Sequence, residues 1–307
     1  MGTVCLPWTE RHAFDRPTFD RAVDAVAPRV DHLYVFGTAG EGHAVSSRQF
    51  HEVTRAFVEA TARHDCRPMV GIISTSMSET VDRIDAAWDL GVDRFQVSLP
   101  SWGACTESEA FDFVAGLCGR SPRARFMLYD VKRSGRLLSA EEYGRLHAAL
   151  PNLVAAKLAG TTAERAAAVQ AAAPGLRLFL TEKAFAEASA LGLQAGLLAS
   201  YATLHWGRCR AFYEAGVAGD ARRLASDREE MSALLSLMRQ SVDPEPHMDG
   251  AFDQMFLKRH VPEFPLRLLP PYRSMSDAAF DRFMGALAGA LPSWWSGPAA
   301  ERSGRGS

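Results

Sequence analysis

The most informative run in this chain is Leu153-Val154-Ala155-Ala156-Lys157-Leu158-Ala159-Gly160. Seven of its eight residues are apolar or glycine, the pattern of a short strand buried on both faces. Lys157 interrupts that pattern, and an unpaired ammonium is costly to bury. Thr161 and Glu164 follow in the T-x-x-E spacing that opens a helix. The lysine therefore stands near the carboxyl end of a buried strand, the end where α/β proteins do their chemistry. The chain has 34 Lys plus Arg, but only four are lysines: Lys132, Lys157, Lys183 and Lys258. Arginine cannot replace lysine as a nucleophile, because guanidinium stays protonated. Two readings are open here: a nucleophilic amine, or a strand-end lysine that snorkels to solvent or pairs with a carboxylate.

Similar apolar segments recur on both sides of this run. Upstream they lie at 3–6, 33–36, 69–73, 95–99 and 125–131, and downstream at 177–181 and 195–200. Helical patterns alternate with them. Five helices open with the same [ST]-x-x-[EQ] device, at Ser46/Gln49, Ser76/Glu79, Thr106/Glu109, Ser139/Glu142 and Thr161/Glu164. Eight strands alternating with helices predict a parallel sheet closed into a (β/α)8 TIM barrel. We assign the barrel to residues 1–206. A C-terminal helical extension follows at 207–292, with helices near 207–217, 220–240, 249–260 and 276–290. Pro244-Glu245-Pro246 and Pro270-Pro271 link them. Residues 293–307 read as a mobile tail, in which Trp294 and Trp295 could dock on the body or on a partner chain.

Bulk properties narrow the function classes. The chain has 307 residues, 47% of them hydrophobic, enough for one large core. Its net charge is −2, and no basic tract or aromatic-basic patch points to nucleic acid or a membrane surface. Cys5, Cys66, Cys105, Cys118 and Cys209 make an odd count with no C-x-x-C pair, against a disulfide framework or a zinc site. Reduced thiols, no leader and no long apolar run give the expectation of a cytoplasmic protein. His51-Glu52 opens H-E-x-x-R rather than a zincin motif, and residues 37–42 lack the Lys-Ser/Thr of a P-loop. His43 reads as a structural or loop-capping residue. His205 and Trp206 either line a pocket or join the barrel to the extension. The Glu229/Glu230 pair reads as a solvated helix face.

A closed barrel brings its strand ends together around one pocket, so Gly37 to Glu41, Tyr129, Lys157, Glu182 and Lys183 are expected to converge. These residues resemble a known family. Gly37-Thr38-Ala39-Gly40-Glu41 resembles the G-[ST]-[ST]-G-E loop of the dihydrodipicolinate synthase/N-acetylneuraminate lyase superfamily. Tyr129-Asp130-Val131 resembles its Tyr-Asn-[VIP] strand end, and Lys157 stands where its imine-forming lysine does. Order and spacing match over roughly residues 1–290.

The resemblance implies a class I mechanism without metal or other cofactor. Lys157 would form an imine with the ketone of a 2-oxo acid, Tyr129 would shuttle protons, and Thr38 would hydrogen-bond Tyr129. The amides of Thr38, Ala39 and Gly40 would hold the substrate carboxylate. Such a lysine must be neutral to attack, which catalytic lysines achieve by desolvation and neighbours. Arg133 or Arg136 is a candidate for a second carboxylate, and Glu182, Lys183 and Ser200 are further candidate substrate-binding residues.

The sequence also departs from the family. Ala39 replaces a hydroxyl residue, Pro100-Ser101-Trp102 stands for the synthases' Pro-Tyr-Tyr, Leu158 replaces a common acid, and Thr181-Glu182-Lys183 replaces a Ser-Gly-Asp type segment. The lost tyrosine is one that a neighbouring subunit would supply. These departures point away from dihydrodipicolinate synthesis itself. The expected activity is aldol cleavage or condensation of a 2-oxo acid, with an aldehyde partner, in a homo-oligomer (dimer or tetramer). The rivals are a dehydratase of a 2-keto-3-deoxy sugar acid working through the same imine, and a barrel that binds a 2-oxo acid without turning it over.

Overall fold

Eight parallel strands pair in sequence order in the computed structural model, which describes residues 1–242 and 247–295, the Ser200 side chain excepted. They are β1 (Gly2–Thr3), β2 (His32–Val35), β3 (Arg67–Gly71), β4 (Arg94–Val97), β5 (Arg125–Asp130), β6 (Leu153–Leu158), β7 (Arg177–Leu180) and β8 (Gly196–Leu197). The helices that follow the strands in turn are α1 (Arg16–Val26), α2 (Ser47–Thr61), α3 (Met77–Trp88), α4 (Glu107–Arg120), α5 (Ala140–Ala149), α6 (Ala163–Ala172), α7 (Glu182–Ala190) and α8 (Trp206–Ala218). This is the (β/α)8 barrel that the sequence predicts. The terminal strands are shorter than expected, and among the described residues no ladder joins β8 to β1. Residues 4–6 and 198–199 are nevertheless buried. The Val4 amide still donates to the Tyr34 carbonyl and the Leu198 amide to the Leu180 carbonyl, so each run continues its pairing by one bond before turning away.

Side chains alternate across each strand. One set, including Leu33, Val35, Val70, Phe95, Val97, Leu128, Ala156 and Leu158, packs into the main core with the helices. The other set faces inward. Tyr34, Met69, Met127 and Ala155 form a separate buried cluster, packed by Met1, Val154 and Phe179. The Tyr34 hydroxyl bonds to Gln96 above it. The barrel is thus a filled core, and only its carboxyl end is open to chemistry.

Four of the five helix starts are capped as predicted. Ser46, Ser76, Thr106 and Ser139 each accept from the backbone three residues on. The fifth is displaced by one residue: Thr162, not Thr161, caps α6 by accepting from Arg165. Gly160 explains the delay, since its φ of 64° turns the chain once more before the helix begins.

The chain continues into α9 (Ala221–Ser241), α10 (Asp249–Lys258) and α11 (Asp277–Ala290). The Pro244-Glu245-Pro246 link and the tail from residue 296 lie outside the described residues. The extension is tied to the barrel by buried polar bonds. Arg267 Nη1 donates to the Trp8 carbonyl at 2.8 Å, and the Leu269 amide donates to Glu41 Oε2 at 2.6 Å. Glu230 corrects the expectation of a solvated pair. It ion-pairs with Arg208 and accepts from Trp294 Nε1 at 3.1 Å, while Glu229 is exposed. Trp294 is accordingly buried on the body of the protein. Among the described residues no helix is long and apolar enough to cross a membrane.

Candidate active site

The register of the sheet assembles the site. Tyr129 on β5 pairs with Lys157 on β6, which pairs with Phe179 on β7. All three therefore point to the same, inward face at the carboxyl end of the barrel. Lys157 Nζ lies 4.4 Å from the Tyr129 ring centroid. Among the described residues this ammonium forms no hydrogen bond and no ion pair. Phe179 flanks it from the other side, an apolar neighbour that periodicity alone could not mark as part of a site. The Tyr129 hydroxyl, on a side chain only 6% exposed, lies 3.4 Å from Thr38 Oγ1.

Thr38 belongs to the loop after β2, which is shaped by close backbone packing. Phe36 enters it with φ 65°, an unusual conformation for a bulky residue. Gly37 follows because the Tyr34 ring leaves no space: a Cβ there would stand 2.4 Å from the Tyr34 hydroxyl. Glu41 then anchors the loop. Its carboxylate accepts from Trp8 Nε1 at 2.8 Å and from the Leu269 amide, and burial pushes its pKa up to about 7. Within the loop the Glu41 and Gly42 amides donate to the carbonyls of Thr38 and Gly37. The Thr38, Ala39 and Gly40 amides donate to no described residue. Ala39 and Gly40 are buried, so these donors are held ready for an acceptor that the protein itself does not supply.

The other sequence candidates fall in different places. Arg133 forms an exposed ion pair: its Nη2 lies 3.0 Å from Asp249 Oδ2, on the first turn of α10. Arg136, the other cation considered, pairs with the buried Glu142 and caps carbonyls of the loop before α4. Glu182 is half-buried at the start of α7, whereas Lys183 beside it is exposed and forms no ion pair among the described residues. The side chain of Ser200 lies outside the described residues. His205 joins barrel to extension: it caps α8, packs edge-on to Trp294, and burial lowers its pKa to about 4. His43 packs edge-on to Tyr272. Trp102 is 94% exposed in the loop after β4. Among the described residues, no group of three or more His, Cys, Asp or Glu could hold a metal ion.

One residue at the site was missed by sequence reasoning. Asp253, on α10, is 6% exposed and forms no hydrogen bond or ion pair among the described residues. Burial raises its pKa to about 7, the charges of Asp249 and Glu182 push the same way, and Lys157 opposes them. Helix α10 reaches the site because Gly250 lies on the loop: a Cβ there would stand 3.3 Å from the Thr38 carbonyl oxygen.

Known proteins share this architecture. The family model described as the dihydrodipicolinate synthetase family matches residues 1–254. A 4-hydroxy-tetrahydrodipicolinate synthase of Exiguobacterium sibiricum is 24% identical over 270 residues, covering 86% of this chain and 89% of that one. One from a Synechocystis strain is 29% identical over 145 residues, 47% of this chain and 48% of the other. Among solved structures, YagE, an Escherichia coli K12 prophage protein in complex with pyruvate, superposes with a TM-score of 0.80 at 16% identity, covering 94% and 97% of the two chains. KD(P)GA from T. tenax gives 0.78 at 18% identity over 95% and 99%. With barrel, loop and strand-end lysine in place, and a family model matched over residues 1–254, the chain belongs to the dihydrodipicolinate synthetase family, whose members are lyases acting on pyruvate through a lysine Schiff base.

Proposed function

We propose that this protein is a Schiff-base-forming lyase that cleaves or assembles a 4-hydroxy-2-oxo acid through Lys157. The observation that carries the reading is the juxtaposition of an unbonded Lys157 amine, the Tyr129 hydroxyl and three unpartnered amides of one loop. Each has a part. The Thr38, Ala39 and Gly40 amides hold the substrate carboxylate, leaving its ketone beside Lys157. The neutral amine attacks the ketone carbon and forms a carbinolamine. Tyr129 returns a proton to the hydroxyl, which leaves as water. The balance is amine plus ketone plus one proton, giving iminium plus water.

In cleavage, Tyr129 takes the proton of the C4 hydroxyl. The C3–C4 bond breaks, an aldehyde departs, and the electron pair passes to the iminium to give an enamine. Protonation at C3 and addition of water then release pyruvate and the amine. Thr38 keeps the Tyr129 hydroxyl oriented. The 3.4 Å separation is long for an O–H···O bond, and such contacts shorten when substrate is bound. No metal enters this scheme.

The test is reductive trapping. The protein is incubated with pyruvate and borohydride, and the adduct is mapped by peptide mass. A reduced adduct on Lys157 is the expected result. No adduct, or one on Lys183 alone, overturns the assignment. Products from a panel of 4-hydroxy-2-oxo acids and 3-deoxy-2-oxo sugar acids then separate cleavage from loss of water.

A further inference from the structure

The most unusual side chain outside the proposed machinery is Asp253. A carboxyl this deeply buried ordinarily has a cation or several donors beside it. Among the described residues Asp253 has neither, yet it lies within electrostatic reach of Lys157 on β6 and Glu182 on α7. Its position follows from the docking of α10. Asp253 lies three residues after Gly250 and four after Asp249, one turn further along the helix. Asp249 holds Arg133, and Gly250 lies against the Thr38 carbonyl. The groups around it are Asp249 on its own helix, Lys157, Glu182, the Cys5 thiol after β1, and Tyr201 in the short turn Ser200–Ala202 after β8.

This arrangement has a consequence for substrate choice. Beyond the amine, Asp253 is a buried carboxyl with no hydrogen bond or ion pair among the described residues. The arginine that could have received a second carboxylate is ion-paired at the surface with Asp249, at 3.0 Å. We propose that Asp253 is a specificity-determining residue of this site: its carboxylate lies beyond Lys157, so that the pocket takes a 2-oxo acid whose far end is uncharged and hydroxylated and turns away one ending in a carboxylate. The hydroxyls of such a chain supply the donors that the buried Asp253 lacks. A terminal carboxylate meets like charge in a site with little water. This inference rests on the same pocket as the proposed lyase reaction, but not on turnover.

Equilibrium binding tests it, with two probes of equal carbon number: a 2-oxo acid ending in a hydroxylated carbon and a 2-oxo acid ending in a carboxylate. The wild type is expected to bind the hydroxylated acid at least about tenfold more tightly, the size of one modest like-charge contact. Asp253→Asn should shrink that ratio by about the same factor. The ratio should also narrow as pH falls below about 7, where the Asp253 carboxyl becomes protonated. In Asp253→Asn that dependence should be lost. Asp249→Asn, which releases Arg133, should strengthen binding of the carboxylate-ended acid.

Equal binding of both probes by the wild type, or a ratio that Asp253→Asn leaves unchanged, overturns the proposal. So does failure to bind either. Because the ratio compares two ligands on one protein, a loss of folded protein does not imitate the effect. Borohydride trapping on the same samples reports the lyase reading separately: preserved discrimination without an adduct removes the chemistry and keeps Asp253, and an adduct without discrimination does the reverse.

Discussion

Two lysines of this chain occupy sites of opposite design. Lys258, on α10 inside the extension, donates to the carbonyls of Pro262 at 3.0 Å and Phe264 at 3.1 Å, and lies 3.3 Å from Asp277. Lys157, at the mouth of the barrel, has only the face of Tyr129. A lysine ammonium can donate three hydrogen bonds. The first site makes two such bonds to the loop after α10 and an ion pair to the start of α11, and the second makes none. The same contrast recurs within seven residues of the loop after β2. Glu41 is bonded on both oxygens, whereas the amides of residues 38–40 remain open. Bonds satisfied within the chain stabilise the fold, while bonds left open are available to a ligand. The difference is energetic: an unmade buried hydrogen bond costs about 1–3 kcal/mol, which a bound substrate can return.

The largest expected effect sets the two lysines against each other. Lys157→Arg keeps the positive charge but removes the nucleophile, so trapping with pyruvate and borohydride should yield no adduct at that position. Lys258→Met should keep the adduct and lose stability instead, by about 1–3 kcal/mol, read from denaturant midpoints. If Lys258→Met abolished trapping while Lys157→Arg preserved it, the contrast would be inverted. Next in size is Tyr129→Phe. Removing a proton-transferring hydroxyl should lower kcat about 10²–10⁴-fold, while peptide mapping should still find the adduct, formed more slowly. An unchanged kcat would return Tyr129 to the role of a packing residue.

A third prediction concerns Glu41, the closed half of the loop. Its pKa rises from an ordinary 4.5 to about 7. The folded state therefore binds more protons than the unfolded state between those values, and stability falls as pH rises through that window. At about 1.4 kcal/mol per unit, the effect is on the order of 3 kcal/mol. Asp253, raised from 3.8 to about 7, acts in the same direction. Glu41→Gln should flatten part of the decline, and Glu41→Gln with Asp253→Asn more of it, in unfolding curves taken between pH 4 and pH 8. A wild-type protein whose stability climbed steadily over that range would contradict both assignments.

The two designs were not equally legible in the sequence. Lys157 announced itself because a charge in an apolar strand breaks a local pattern. Helix starts at Ser46, Ser76, Thr106 and Ser139 were readable because caps are local chemistry. The cap of α6 was misplaced by one residue, since Thr161 and Thr162 both offer a hydroxyl and only the turn at Gly160 selects between them. Asp253 could not be read at all. In the sequence it is one polar residue in a helix, and its burial beside Lys157 exists only once α10 has docked on the barrel. Glu230 shows the same limit, because Trp294 and Arg208 reach it from other elements. Arg133 stands out in the sequence as a cation near the strand ends, but its partner Asp249 lies in the extension. What the barrel dictates locally is visible in sequence, and what the extension adds across space is not.

Thr38 tests the boundary between the two designs, because it belongs to both. Its carbonyl takes part in the closed turn by accepting from the Glu41 amide at 3.2 Å, while its hydroxyl faces Tyr129 at 3.4 Å. Thr38→Val keeps the β-branched shape and the backbone bonds but deletes the hydroxyl. The fold should therefore be preserved, with a midpoint close to that of the wild type. The Tyr129 hydroxyl loses its orienting partner but not its position in the strand, so kcat should fall by about tenfold, the worth of one net hydrogen bond of about 1.4 kcal/mol. Affinity for pyruvate should change less, because the carboxylate is held by amides that the substitution leaves in place. A fall in affinity without a fall in kcat would mean that the hydroxyl itself holds the carboxylate, and the open half of the loop would then include a side chain as well as the backbone.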